Sequence, residues 1–219
     1  RLGVGIQGLS QAEAAYQNAV KYAQERRQGR ALTGPAEPAE KADTLFVHPD
    51  IRRMLMDAKA YIEGMRALCL WGALQVDLVH KATSEEDRQM ADDLVSLLTP
   101  VIKGYGTDKG YDIANNMQQV YGGHGYVREW GIEQIVRDAR VAMIYEGTNE
   151  IQAIDLLVRK VLADGGQGLA ALLADLATQL PAGHNGHARI QRLTAITAVL
   201  VQAAPGDASL AFEVADDYL

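Results

Sequence analysis

The 219-residue sequence predicts an all-α protein: an up-and-down helical bundle followed by an appended C-terminal helical segment. Three observations predict it. Apolar residues recur at three- and four-residue steps along most of the chain, which is the helical period. Alternating apolar and polar runs of the strand type are nearly absent. The links between the long periodic segments are short, which favours antiparallel neighbours.

The elements follow in order. Leu9, Ala12, Tyr16, Ala19 and Ala23 mark a first helix over roughly 3–27. The stretch QGRALTGPAEPAEKAD carries glycine, prolines and acids but few apolar side chains, so it reads as an exposed loop. His48-Pro49-Asp50 opens a second helix, with proline tolerated in the first turn. Its stripe of Ile51, Leu55, Ala58, Ile62, Met65, Cys69 and Val76 carries it to about His80. Thr83 or Ser84 caps a third helix whose first turn holds Glu85, Glu86 and Asp87. Pro100 is expected to kink or restart it. The pattern resumes through Ile102, Tyr105, Ile113, Met117 and Val120 and stops at Gly122-Gly123. A short helix follows over Gly131–Arg140. Another begins after Thr148 or Asn149 and buries Ile151, Ile154, Val158 and Val161. Residues 1–163 are therefore expected as one helical domain. Residues 164–219 are read as an Ala-rich amphipathic addition, broken by glycines 165, 166 and 168 and again by PAGHNGH (Pro181–His187).

Composition narrows the function. At 48% hydrophobic and 22% charged, the chain is long enough to bury a real core. A formal charge of -7 and a pI near 5.2 argue against a nucleic-acid or anionic-membrane surface. Cys69 is the single cysteine, so no internal disulfide can form and a reducing, cytoplasmic setting is expected. No apolar run approaches the roughly twenty residues of a membrane span. The chain starts at Arg1 without methionine and is expected to be a piece of something longer.

Few residues carry chemistry on their face. In MIYEGTNEIQ (Met143–Gln152), Glu146 precedes a helix start. There a carboxylate suits the positive dipole end, and Gly147 beside it could also clear room for a ligand next to a catalytic base. ERRQGR (Glu25–Arg30) is either a basic helix C-terminus or an anion site. GGHG reads as a helix stop, with His124 a loop residue after it. Arg137, Asp138 and Arg140 read as a structural ion-pair site, and Trp71 and Trp130 as packing residues. The five histidines show no metal-ligand spacing.

Three stretches in order carry a resemblance: YAQERRQGR, QVYGGHGYVREWGIEQIVRDAR and MIYEGTNEIQ. Together, from Arg1 to about Ala163, they resemble the C-terminal helical domain of the acyl-CoA dehydrogenases. The loop after the first helix, the LLTP stretch and the extra C-terminal helices resemble the longer bacterial branch, some members of which act on 3-methylthiopropanoyl-CoA. The resemblance implies FAD as cofactor, an acyl-CoA substrate, electron-transfer flavoprotein as electron acceptor, and a homodimer or homotetramer. It implies that Glu146 is the base taking the pro-R α-proton while a β-hydride passes to flavin N5. A thioester α-proton is a very weak acid, so a desolvated carboxylate makes the better base.

By the same resemblance, Tyr145 and Gly147 line the acyl pocket, and Arg1 lies by the carboxylate and the CoA arm. Arg26, Gln119, Gly122 and Gly123 reach the ADP portion of a neighbouring subunit's FAD, while Thr148 and Glu150 touch the FAD of their own subunit. Guanidinium pairs phosphate oxygens bidentately, and glycine lets backbone N–H groups approach phosphate closely. Two positions depart from the family pattern. Gly29 stands where a phenylalanine is common, and Pro49 where a glutamine is. The N-terminal helical domain and β-domain that seat the flavin ring are not in this chain, so it is expected to be inactive alone. An acyl-CoA oxidase and a non-catalytic oligomerisation module are the competing readings.

Overall fold

The computed structural model describes residues 1–207 and 209–219. The helices are α1 (Leu2–Glu25), α2 (Pro49–Lys81), α3 (Glu85–Val120), α4 (Gly123–Tyr126), α5 (Ile132–Ala142), α6 (Asn149–Leu156), α7 (Gln167–Gln179), α8 (Gly186–Ala203), α9 (Leu210–Glu213) and α10 (Ala215–Tyr218). Leu45–Val47 and Arg128–Trp130 are 3₁₀ turns, and Leu157–Val161 extends α6 as a π turn. Among the described residues there is no strand, only an isolated bridge between Arg27 and Thr44. The all-α expectation holds.

Local chemistry explains the ends. Ser84, not Thr83, caps α3, its hydroxyl accepting the Asp87 N–H at 3.0 Å. Pro100 does not restart the helix. It cannot donate to the Ser96 carbonyl, but it is fully buried, and the Thr99 hydroxyl donates to the Val95 carbonyl at 2.6 Å beside it. Packing offsets the missing backbone bond. The break at Gly165-Gly166 uses φ of +69° and +82°. Asp164 then caps α7 by accepting the Gly166 and Gly168 N–H groups, each at 2.8 Å.

The chain forms two compact units. One contains residues 2–69 and 106–146. Its core lies along the small-residue face of α1, where Gly8, Ala12, Ala15, Ala19 and Ala23 are buried. A Cβ on Gly8 would come within 2.5 Å of the Gly106 carbonyl oxygen, and one on Gly110 within 2.5 Å of the Gly8 oxygen. Helices α1 and α3 therefore touch backbone to backbone. Leu55, Ala58, Ile62, Met65, Ile113, Met117 and Ile132 fill out this core.

The other unit contains residue 1, residues 70–105 and residues 147–219. Its core joins Ala153, Leu156, Leu157 and Val161 to Leu200, Ala211 and Ala215, so residues 164–219 share it with α6. Two positions expected on buried stripes face outward: Tyr105 is 41% and Ile151 42% exposed. In α6 the buried face is set instead by Asn149, Gln152, Ala153 and Leu156. The buried Lys103 ammonium donates to Asn149 Oδ1 at 2.7 Å, and Asn149 Nδ2 donates to the Gly104 carbonyl at 3.2 Å. A buried polar head group needs hydrogen-bond partners, and Asn149 on the inward side of α6 supplies one.

Candidate functional site

The first site lies where α1 ends. Arg26, Gln28, Gly29, His48, Gln119 and Gly122 line a concavity of about 360 Å³. Arg26 forms no ion pair among the described residues. Its neighbours do: Arg27 pairs with Glu37 at 2.6 Å and Arg30 with Asp43 at 3.2 Å. Gly122 has φ +57°, and nothing lies within 4 Å of where a Cβ would stand on Gly122 or Gly123, so the backbone faces open space. An unpaired guanidinium, two carboxamides and an uncovered glycine turn fit an anionic, phosphate-bearing ligand. Gly29 has φ +72°, and a Cβ there would press to 3.2 Å from the His48 ring. Glycine is what the left-handed turn needs.

An aromatic cluster backs this concavity. Tyr22 and Tyr121 stack at 4.0 Å, and His124 stacks on Trp130 at 4.4 Å. Tyr22 and His124 share a 2.8 Å hydrogen bond. His124 is thus a packed residue of α4, not the loop residue that the GGHG pattern suggested. Burial raises the Tyr121 phenol above its ordinary pKa.

The second predicted stretch, Met143–Gln152, is the connection from α5 into α6. Glu146 is solvent-exposed and has φ +58°, the one non-glycine positive φ among the described residues. Gly147 has φ +87°, and a Cβ there would meet Gln152 Nε2 at 2.8 Å. That amide donates to the Gly147 carbonyl at 3.2 Å. Thr148 is the N-cap of α6, its Oγ1 accepting the Ile151 N–H at a long 3.5 Å. The Tyr145 hydroxyl hydrogen-bonds Gln7, and Glu150 is the exposed acid of the first helical turn. Arg1 pairs with Asp155 at 2.7 Å. Arg137 and Arg140 form no ion pair among the described residues, contrary to the structural role expected for them; Asp138 accepts from Gln134 at 2.7 Å instead. Among the described residues no cluster of His, Cys, Asp and Glu could hold a metal, and no helix is long and apolar enough to cross a membrane.

The model of the acyl-CoA dehydrogenase C-terminal domain matches residues 1–162. The chain belongs to the acyl-CoA dehydrogenase family. Its members are FAD-dependent oxidoreductases. The 3-methylmercaptopropionyl-CoA dehydrogenase of Ruegeria pomeroyi is 44% identical over 167 residues, which cover 76% of this chain and 28% of the relative. The broad-specificity linear acyl-CoA dehydrogenase FadE5 of Mycobacterium tuberculosis is 36% identical over 194 residues, covering 88% of this chain and 32% of the relative. The structure of Caenorhabditis elegans ACDH-11 in complex with C11-CoA matches the whole chain and 36% of that chain. Its TM-score is 0.74 at 19% identity, a likeness of fold. The chain thus spans roughly a third or less of the length of these relatives.

Within the acyl-CoA dehydrogenase frame, the structure brings Arg26, Gln119 and Gly122 to one concavity, with Gly123 opening α4 beside it. Tyr145, Glu146, Gly147 and Thr148 lie on the stretch that leads into α6, and Glu150 in the first turn of that helix. Sequence reasoning missed Asp43, Lys103 and the aromatic cluster. Lys103 had a signal, since it lies in an otherwise apolar stretch beside Ile102. Asp43 had none, because a single acid in a polar loop looks solvated. It is in fact fully buried.

Proposed function

We propose that this domain supplies the base and the cofactor-diphosphate clamp of an FAD-dependent acyl-CoA dehydrogenase acting on an acyl-CoA thioester. Glu146 takes the α-proton, forming its carboxylic acid, as the α,β double bond develops. The bound flavin supplies the hydride acceptor for the β-hydrogen. Tyr145 and Gly147 border the acyl chain, and Arg1 lies toward the CoA arm. Arg26 and Gln119, with the open backbone at Gly122 and Gly123, hold the ADP portion of a neighbouring subunit's FAD; Thr148 and Glu150 meet that of their own. A homodimer is the smallest complete unit, and electrons leave to an electron-transfer flavoprotein.

The observation that carries this reading is the backbone of Glu146. A non-glycine residue with φ +58° on an exposed turn is strained. Such strain persists where surrounding structure over-determines it, and here Gln152 clamps Gly147 and Thr148 caps the following helix. A carboxylate serving only the helix dipole has no need of a left-handed conformation two residues ahead of the cap. The test is Glu146→Gln in an enzyme containing this domain. Fold, flavin content and acyl-CoA binding should stay intact while anaerobic single-turnover flavin reduction falls about a hundred- to ten-thousand-fold. Reduction within about tenfold of the parent rate would remove Glu146 from the role of base.

A further inference from the structure

The loop between α1 and α2 looked exposed and plain in the sequence, yet it is organised around one carboxylate. Asp43 is 0% exposed. Its oxygens accept the N–H groups of Ala31 at 2.9 Å, Ala36 at 3.1 Å and Glu37 at 2.9 Å, together with Arg30 Nη1 at 3.2 Å. Its backbone is woven into the end of α1. The Gln28 N–H donates to the Asp43 carbonyl at 2.9 Å, the Asp43 N–H donates to the Gly29 carbonyl at 3.0 Å, and the Leu45 N–H donates to the Arg26 carbonyl at 3.0 Å. His48 closes the same turn through a 2.8 Å bond between Nε2 and the Gln28 carbonyl.

The charges are sorted by the same loop. Three arginines crowd this turn, and unpaired guanidiniums so close would repel one another. Glu37 takes Arg27 and Asp43 takes Arg30. Arg26 is left to face the concavity that it lines with Gln28, Gly29 and Gln119. A three-donor backbone cradle plus one arginine holds a carboxylate far more firmly than the open surface would, so the turn is pinned from both sides.

We infer that Asp43 is the positioning residue of the diphosphate site: it fixes the 26–30 turn, neutralises Arg30, and so presents Arg26 to the cofactor. Asp43 itself does not touch the ligand. This rests on the reading of Arg26 as a phosphate contact. Asparagine at position 43 would aim an amide N–H₂ at backbone N–H donors, so one side of the cradle would be lost.

The test is a double-mutant cycle in an enzyme containing this domain, stripped of flavin and titrated with FAD. Arg26→Gln and Asp43→Asn should each weaken FAD binding by more than about fivefold, as loss of a charge-assisted hydrogen bond does. The double variant should lie within about threefold of the worse single one, because residues acting through one another are not additive. Turnover per bound flavin at saturating FAD should match the parent for Asp43→Asn. A residue that served only general stability would instead give losses that multiply with those of Arg26→Gln, and that result overturns the inference. So does FAD binding within fivefold of the parent for Asp43→Asn when Arg26→Gln is impaired. If Arg26→Gln itself binds FAD normally, the phosphate reading of the site fails, and this inference fails with it. Should Asp43→Asn not fold, Arg30→Gln removes one of the four donors to the carboxylate and is put through the same cycle, with the same outcomes.

Discussion

Replacing Gly8 by alanine is a sharp test of how α1 meets α3. In an exposed helix interior this exchange stabilises by about 1 kcal/mol, because alanine loses less backbone entropy than glycine. At position 8 the new Cβ would stand 2.5 Å from the Gly106 carbonyl oxygen and 2.8 Å from Thr107 Cα. Ordinary contact begins near 3.4 Å, so the two backbones must part by roughly 0.9 Å. Neither obstacle is a flexible side-chain end; both are backbone of α3. Overpacking of this kind costs about 1–3 kcal/mol, and helices moved apart also forfeit dispersion contacts along the seam. The net expectation is a loss of about 1–3 kcal/mol despite the better helix former. For a protein of this size that lowers Tm by about 2–12 °C. Gly3 is the internal control: it lies on the same helix with nothing within 4 Å of its Cβ position, so Gly3→Ala should leave Tm unchanged or raise it. Thermal unfolding followed by circular dichroism compares the two. A Gly8→Ala variant as stable as Gly3→Ala would show that α1 and α3 are not in backbone contact.

Three further outcomes are expected. Four hydrogen bonds to Asp43, the backbone N–H of Ala31 foremost, hold its pKa well below the ordinary carboxylate range. Their stabilisation is therefore complete above the ordinary Asp value of about 3.9 and is lost as pH falls below it. Amide exchange at Ala31, Ala36 and Glu37 should be protected equally at pH 7 and pH 5 and weaken only under stronger acid; protection that already fades between pH 7 and 5 would contradict this. Asn149→Leu takes the 2.7 Å acceptor from the buried Lys103 Nζ and should cost about 1–3 kcal/mol, read by denaturant midpoint. A change under 0.5 kcal/mol would mean that the contact contributes little. Finally, if Arg26 and Gln119 serve a neighbour's cofactor, an enzyme with this domain must be at least a dimer; sedimentation as a monomer with full flavin content would rule that arrangement out.

Much of this molecule was legible one segment at a time. The helices and most of their ends could be read because a 3.6-residue period, an N-cap serine or a positive-φ glycine acts within a few residues. The YEGT and QVYGG stretches stood out only through the resemblance they carry, since taken alone each also reads as a plain helix end. Tertiary contact decided the rest. Ile151 satisfies the period of α6 and Tyr105 that of α3, yet both face outward; on α6 the inward side is the one that carries Asn149, hydrogen-bonded to the buried Lys103, and Gln152. Pro100 stays inside a continuous helix because its surroundings bury it. His124 gains its role from Tyr22 and Trp130, one of them far away in sequence. Asp43 shows the limit most clearly. Whether a loop carboxylate is solvated or is the hub of a turn depends on three N–H groups and a guanidinium converging on it. Convergence of that kind has no period and no motif, and it exists only once the chain has folded back on itself.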